Sequence, residues 1–314
     1  MRVLVTGGAG FIGAGLVERL LAEGEDVDVI DDLSTGSLAN LGPARAMAGG
    51  KLKFHRLDVR HPGLAELLDQ RRPEVVFHLA AQADVRVSVE NPVLDADVNI
   101  LGSLRVCQAA LHAGTRKVVF AGSGGTLYGA PETLPVAEGH SRRPVSPYGV
   151  AKKAVGDYLH YYREIQGLDY TILALANVYG PRQDPHGEAG VVAIFAGRLL
   201  AGETPTIFGD GNQTRDFVFV DDVVDAFARA RSAGSGLLAN IGTGTETSVR
   251  ELFATMARLT GFEEPAEYAP ARPGELQRSA LDPTLACAEL GWKPLHTLED
   301  GLDRTLAWFR AREG

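Results

Sequence analysis

Short runs rich in β-branched residues alternate with longer segments of helical period through the first half of the chain. Residues 2–6, 27–30, 52–57, 75–79, 117–121 and 170–175 have the length and apolar density of buried strands. Between them, residues 12–22, 64–71, 93–113 and 148–165 repeat apolar positions every three or four residues, as a helix with one buried face does. Strands alternating with helices in this way specify a parallel sheet with helices on both faces. The expected fold class is α/β, a Rossmann-type doubly wound parallel sheet with a smaller C-terminal α/β substrate domain.

After Asn177 the rhythm breaks. Gly, Pro and Asp cluster in residues 179–190, 209–212 and 270–274, and further helical patterns occupy 191–201, 221–231, 249–260 and 298–310. The division expected is a main sheet domain over residues 1–175 and a second domain over 176–314, with some later segments returning to the main sheet. No internal repeat or low-complexity linker interrupts it.

Composition narrows the classes of function. The net charge of the 314 residues is −9, without a Lys/Arg-rich block, which argues against binding nucleic acid or an anionic membrane but leaves room for a locally basic pocket. The two cysteines, Cys107 and Cys287, are far apart and lack metal-ligand spacing, so neither a disulfide framework nor a metal site is expected. No apolar run approaches the roughly 20 residues needed to span a bilayer. Val3-Leu4-Val5 follows Arg2 like the start of a signal peptide, but Gly7 and Gly8 cut it short and it reads as a buried strand. A soluble, cytoplasmic protein is expected.

Candidate chemistry begins directly after the first strand. Thr6-Gly7-Gly8-Ala9-Gly10-Phe11-Ile12-Gly13 joins that strand to a helix. Gly7 suits a tight turn, Gly10 a close approach of backbone to a pyrophosphate, and Gly13 close packing of helix on strand. The helix start adds free N–H groups and the positive end of its dipole. Asp31 ends the second strand, where a carboxylate accepts from adenosine ribose hydroxyls and repels a 2′-phosphate. NAD is therefore expected, rather than NADP. Asp58, after the third strand, either accepts from the adenine amino group or caps the following turn.

A second constellation lies at Tyr148-Gly149-Val150-Ala151-Lys152, where Tyr and Lys stand one helical turn apart on a shared face. Tyrosine is a poor base at neutral pH, and an ammonium beside it favours the phenolate. Such a pair can take a proton from a carbinol as hydride leaves, or return it.

Together with the glycine loop, this constellation resembles the extended short-chain dehydrogenase/reductase superfamily, the NAD-dependent epimerase/dehydratase family, over nearly the whole chain. It is most similar to the nucleotide-sugar 4-epimerases of the UDP-glucose (UDP-galactose) 4-epimerase-like group. The further matches are His78-Leu79-Ala80-Ala81-Gln82, Asn99, Ser146-Pro147-Tyr148 with Lys152, and Asn177-Val178-Tyr179-Gly180-Pro181-Arg182-Gln183. They continue with Phe208-Gly209-Asp210-Gly211, Thr214-Arg215-Asp216-Phe217 and Arg272-Pro273-Gly274-Glu275.

The resemblance implies NAD contacts at Gly7, Gly10, Phe11, Ile12 and Gly13, at Asp31, Asp32, Ser34 and Gly36, and at Asp58 and Val59. It adds Leu79, Ala80, Ala81, Gln82 and Asn99, with Tyr148 and Lys152 at the nicotinamide ribose. For the nucleotide-sugar substrate it implies Ser123, Gly124, Thr126, Tyr148, Asn177, Val191, Phe208, Arg215, Arg272 and Glu275. Phe208 would pack near the base, and Glu275 would accept from the substrate ribose. Two guanidiniums converging on a pyrophosphate make charge-assisted bonds and supply the local positive site that the net charge leaves open. A homodimer, joined through helices around 93–113 and 148–165, is implied too.

The stretch Ala121-Gly122-Ser123-Gly124-Gly125-Thr126-Leu127-Tyr128 distinguishes reactions among relatives. Dehydratases of this kind carry an Asp-Glu pair there and uronic-acid decarboxylases a Glu, whereas this chain has Gly125 and Thr126 and no carboxylate. Epimerisation at C4 through a transient 4-keto sugar, which needs no second acid, is the reaction expected. Tyr148, Lys152 and Ser123 are its catalytic candidates. The relatives' usual Ser or Thr aligns with Gly124, so the hydroxyl falls to Ser123 or to Thr126. Residues 173–175, Leu-Ala-Leu where relatives often have Arg and Tyr, imply altered packing or substrate contact.

His78 reads as a packed core histidine, Cys107 as core, and His186, near Asp184, as a substrate contact or a solvated loop residue. The alternatives are an epimerase for a uronic-acid, N-acetylhexosamine or pentose nucleotide, or a nucleotide-4-keto-sugar reductase. A silent dinucleotide sensor would lack Tyr148 or Lys152, and both are present.

Overall fold

A computed structural model describes residues 1–185, 190–272 and 276–313. Seven parallel strands form the central sheet: β1 (Arg2–Thr6), β2 (Asp26–Asp31), β3 (Leu52–Arg56), β4 (Val75–His78), β5 (Lys117–Ser123), β6 (Asp169–Leu175) and β7 (Leu237–Ile241). Their spatial order is β7-β6-β5-β4-β1-β2-β3, every pair parallel. The order reverses between β1 and β4, and ligands of such sheets bind outside the strand ends at that switch point. β7, contributed by the C-terminal part of the chain, forms the outer strand beside β6.

Alternation along the strands explains the two-sided core. Val3, Val5, Val27, Val29 and Phe77 face one way and pack against α1 (Phe11–Ala22). Leu4, Ile30, Val76, Val118 and Phe120 face the other way, against α2 (Leu64–Arg71), α4 (Ser103–His112) and α5 (Pro147–Gln166). α6 (Val220–Ala230) lies on α1, and Arg19 of one reaches Asp225 of the other at 3.1 Å. Leu173, Ala174 and Leu175 are buried in β6, where the departure alters packing.

The single helix expected over residues 93–113 is instead three pieces. α3 (Pro92–Ala96) gives way to a wider, π-type stretch over Asp97–Gly102 before α4 begins. The pattern is helical throughout, but tertiary contacts distort the middle. The Asn99 amide bonds to a neighbouring loop, and a Cβ on Gly102 would lie 3.0 Å from Val59 Cγ2. Such widened turns gather at functional sites.

α5 has well-formed ends. Ser146 Oγ accepts from Gly149 N at 3.2 Å, Pro147 occupies the first turn, and Gly167 closes the helix at φ 76°. Three small strand pairs stand beyond the sheet: Asn177–Tyr179 with Phe217–Phe219, Thr206–Phe208 with Glu267–Ala269, and Thr214–Arg215 with Thr247–Ser248. Among the described residues, no helix is long and apolar enough to cross a membrane.

Candidate active site

The glycine loop is a cradle built by close approach. Gly7 has φ 70°, and a Cβ there would lie 2.7 Å from Ala80 N; one on Gly13 would lie 2.1 Å from the Gly7 carbonyl oxygen. Only glycine fits either place. Around Gly10 the space is open except for that same oxygen at 3.2 Å, and no side chain caps the first turn of α1. A backbone groove ending in uncapped helix amides suits a pyrophosphate. Gly13 packs on the loop itself, a closer contact than the helix–strand packing expected of it.

At the end of β2 the Asp31 carboxylate accepts from Ala9 N and Leu33 N, both at 2.9 Å. Burial lifts this carboxyl above its usual range, against the two amide bonds. Gly36 lies against it, since a Cβ there would be 2.8 Å from Oδ1. Asp32 accepts from both the amide and the hydroxyl of Ser34. Asp58 Oδ1 accepts from Arg60 N at 2.7 Å, capping the turn, while its carboxylate pairs with the Arg60 guanidinium. Hydrogen bonding to Arg60 holds the Asp58 carboxyl below its usual range. Val59 is buried beside it.

The loop after β4 is held by two polar chains. Ala80 N–H donates to Thr6 Oγ1, whose proton goes to His78 Nδ1 at 2.7 Å. On the other side of the ring, His78 Nε2–H donates to Ser103 Oγ at 2.9 Å, and Ser103 donates to the Asn99 carbonyl at 2.6 Å. Every proton in this chain has one place to go, which fixes the neutral Nε2–H tautomer. Burial, and secondarily the Lys152 charge, push His78 down to about 3. It is a satisfied core histidine.

The second chain centres on Asp95, which the sequence reading passed over. Asn99 Oδ1 accepts from Gln82 N at 2.9 Å and Asn99 Nδ2 donates to the Gln82 carbonyl at 2.8 Å. Asp95 Oδ1 accepts from Asn99 Nδ2 at 2.8 Å and from Gln82 Nε2 at 3.2 Å. The i, i+4 spacing of Asp95 and Asn99 was the available signal. Its partner Gln82, 13 positions before Asp95, was not readable from that spacing.

At the reacting end, Lys152 Nζ donates to the Ala121 carbonyl at 2.9 Å and lies 5.5 Å from the centre of the Tyr148 ring. The buried ammonium also sits over Phe120, 4.7 Å from its ring centre. Thr126 Oγ1 donates to Ser123 Oγ at 2.9 Å, so the two candidate hydroxyls form one pair. α5 docks onto this loop through Gly149, whose Cβ would lie 2.8 Å from the Thr126 carbonyl oxygen. A Cβ on Gly125 would lie 3.9 Å from Asn177 Oδ1, so Asn177 is brought to the same place.

Two of the remaining substrate candidates, Phe208 and Arg215, sit on the small strand pairs. The Arg272 guanidinium stacks 4.0 Å over the Phe208 ring. Arg215 Nη1 donates to the carbonyls of Thr214 and Leu276, each at 2.8 Å, which orients its planar head group. Val191 opens the helix Val191–Leu200. Glu275 and His186 lie outside the described residues. Cys107 is buried in the core and its thiol is pushed up to about 12 by burial, which leaves it unreactive.

A second unforeseen residue is Asp216, buried between Arg215 and Phe217. Its carboxylate accepts from the amides of Thr243, Gly244 and Leu281 and from the Thr243 hydroxyl. Its own carbonyl accepts from Asn177 N at 2.9 Å. The sequence offered only its place in the Thr-Arg-Asp-Phe motif, because its partners are far along the chain.

Comparison with known proteins identifies relatives along nearly the whole chain. Residues 3–242 match the model of the NAD dependent epimerase/dehydratase family. The chain is 52% identical over 311 residues to the UDP-glucose 4-epimerase of Mycolicibacterium smegmatis, covering 99% of each. Among solved structures, it is similar to a UDP-glucose 4-epimerase from Thermotoga maritima with UDP-glucose, at TM-score 0.96 and 44% identity over all of both chains. A Thermus thermophilus UDP-glucose 4-epimerase complex with NAD matches at TM-score 0.91 and 44% identity, covering 99% of each chain. With the match over residues 3–242 and a relative 52% identical across its length, the chain belongs to the NAD-dependent epimerase/dehydratase family.

Proposed function

We propose that this protein is an NAD-dependent isomerase that inverts C4 of a UDP-linked hexose, interconverting UDP-glucose and UDP-galactose. The observation that carries the reading is Lys152, held beside Tyr148 on the carbonyl of Ala121, in the strand that leads into a loop of paired hydroxyls without a carboxylate. The glycine cradle, Asp31 and the loop held by Asn99 and His78 are the residues that would hold NAD. When bound, NAD supplies a reversible acceptor for the C4 hydride.

Tyr148 takes the proton of the C4 hydroxyl, and the fixed positive charge of Lys152 favours the phenolate that does so. Ser123, braced by the Thr126 hydroxyl, hydrogen-bonds the same sugar oxygen. Arg215 and Arg272 grip the pyrophosphate and Phe208 packs beside the base, so the sugar is free to turn over as a 4-keto intermediate while its handle stays bound. Tyr148 then returns its proton to the oxygen. The loop from Ser123 to Thr126 offers no carboxylate for eliminating water across C5–C6, which weighs against dehydration.

The test is incubation of the purified protein with UDP-linked glucose, galactose, N-acetylhexosamines, uronic acids and pentoses. The expected result is conversion between UDP-glucose and UDP-galactose with no net change in NADH absorbance. NADH consumed in proportion to product would instead identify a 4-keto-sugar reductase, and preference for another sugar would reassign the substrate.

We also propose a cytoplasmic homodimer. Val150, Tyr158, Tyr161 and Ile165 form one exposed apolar stripe along α5, and Val93, Leu94 and Leu101 are exposed on the neighbouring α3 and π-type stretch. An apolar surface of this extent across two adjacent helices suits a second copy of the chain. Light scattering is expected to give the mass of two chains, and Ile165→Glu to give the mass of one. A wild-type mass of one chain would refute the dimer.

A further inference from the structure

Position 124 is where this chain departs from the epimerases it resembles, and the fold supplies the physical reason. A Cβ on Gly124 would lie 2.3 Å from Leu281 Cδ1 and 3.1 Å from the Ala174 carbonyl oxygen. Leu281 is 1% exposed and packs with Leu127, Tyr128 and Val136. Its backbone is held, so any yielding must come from the tip of its side chain within that cluster. Val136 N donates to the Ala280 carbonyl and Asp282 N to the Val136 carbonyl, both at 2.8 Å. Leu281 N–H itself donates to the buried Asp216 carboxylate at 3.1 Å.

The same strap is fixed upstream. The Leu276 carbonyl accepts from Arg215 Nη1, and the Gln277 carbonyl accepts from Thr214 N at 2.9 Å. A single segment, residues 276–282, thus joins the candidate pyrophosphate-binding Arg215 to the catalytic loop. Ser123 and Gly124 meet where β5 ends, with Ser123 still extended at φ −132°, ψ 98°. Ser123 directs its oxygen to Thr126 Oγ1, whereas a side chain at position 124 would meet Leu281.

We infer that Leu281 is a positioning residue for the epimerisation. Its side chain fills the volume a residue at 124 would need, locks the Ser123–Gly124 backbone, and makes the hydroxyl at 123 the one presented to the sugar. This rests on the epimerase reading with Ser123 at the reacting end.

The test measures kcat and KM for UDP-galactose in Gly124→Ala, Leu281→Ala and the double variant, each checked for retained NAD and for its melting temperature. Gly124→Ala is expected to lower kcat by about tenfold or more with little change in KM, because the loop is displaced by roughly an ångström. Adding Leu281→Ala is expected to bring kcat back to within about threefold of Leu281→Ala alone, a coupling that assigns the loss to the contact between positions 124 and 281; a constant KM and melting temperature across the set separate positioning of the loop from a general loss of structure. The inference is overturned by a Gly124→Ala variant as active as the unmodified protein, or by a double variant no better than the combined losses of the single ones. If Gly124→Ala does not fold, Leu281→Ala alone decides: kcat lowered about threefold or more at constant KM supports it, and unchanged kcat overturns it. Ser123→Ala separates the two claims. Near-full kcat there would refute the role of Ser123 while leaving the packing of position 124 against Leu281 to the first three variants.

Discussion

Tyr148→Phe is expected to lower kcat by about 10²–10⁴-fold, with NAD and the UDP-sugar still bound. The substitution removes one oxygen and leaves the ring, over which Lys152 lies at 5.5 Å, in place. α5 keeps its Ser146 cap and its docking through Gly149, so the loss should fall on kcat and not on KM. The measurement is steady-state epimerisation beside the NAD absorbance of the purified variant. Epimerisation at a near-normal rate would remove Tyr148 from the mechanism. Lost NAD would mean that the hydroxyl holds the cofactor more than it moves a proton.

The second large effect concerns stability and pH. His78 stays neutral in the folded protein down to about pH 3, whereas in the unfolded chain it takes up a proton near pH 6.5. With its folded value depressed, the unfolded state binds more protons below 6.5, so stability falls as the pH falls. The contribution is intact above 6.5 and is lost progressively toward 3, amounting to about 2 kcal/mol by pH 5. Other buried groups titrate as well, and Asp31, Asp95 and Asp216, all raised, act in the opposite direction on acidification. The residue is therefore isolated by comparison. His78→Gln should melt lower than the unmodified protein at pH 7.5, having lost the bond from Thr6, and the gap should narrow by pH 5. A constant gap would show that His78 does not carry the pH dependence. Because the same ring braces the Ala80 backbone through Thr6, weaker NAD retention is expected alongside.

Much of this was legible in the residues themselves. The alternation of strands with segments of helical period is a local property, and it was sufficient for six of the seven sheet strands and for the helices that cover them, apart from the break within residues 93–113. The short motifs were legible for the same reason: Gly7, Gly10 and Gly13 act on their immediate neighbours, and Tyr148 and Lys152 are one turn apart on α5. The carboxylate-free loop from Ser123 to Thr126 discriminated between reactions because the relevant chemistry is carried by contiguous side chains.

The sequence by itself thus determined the class of fold, the cofactor loop and the Tyr–Lys pair, each a matter of spacing within one element. Tertiary structure alone decided which distant residues meet. It put Asp95 beside Gln82 and Asn99, widened the helix around Asn99, and gave Asp216 its partners at Thr243, Gly244 and Leu281. It also turned Gly124 from an unexplained departure into a close contact with Leu281, 157 positions along the chain by their numbers. The reason is physical: excluded volume and the satisfaction of buried carboxylates act between surfaces brought together by folding, and no local pattern encodes them.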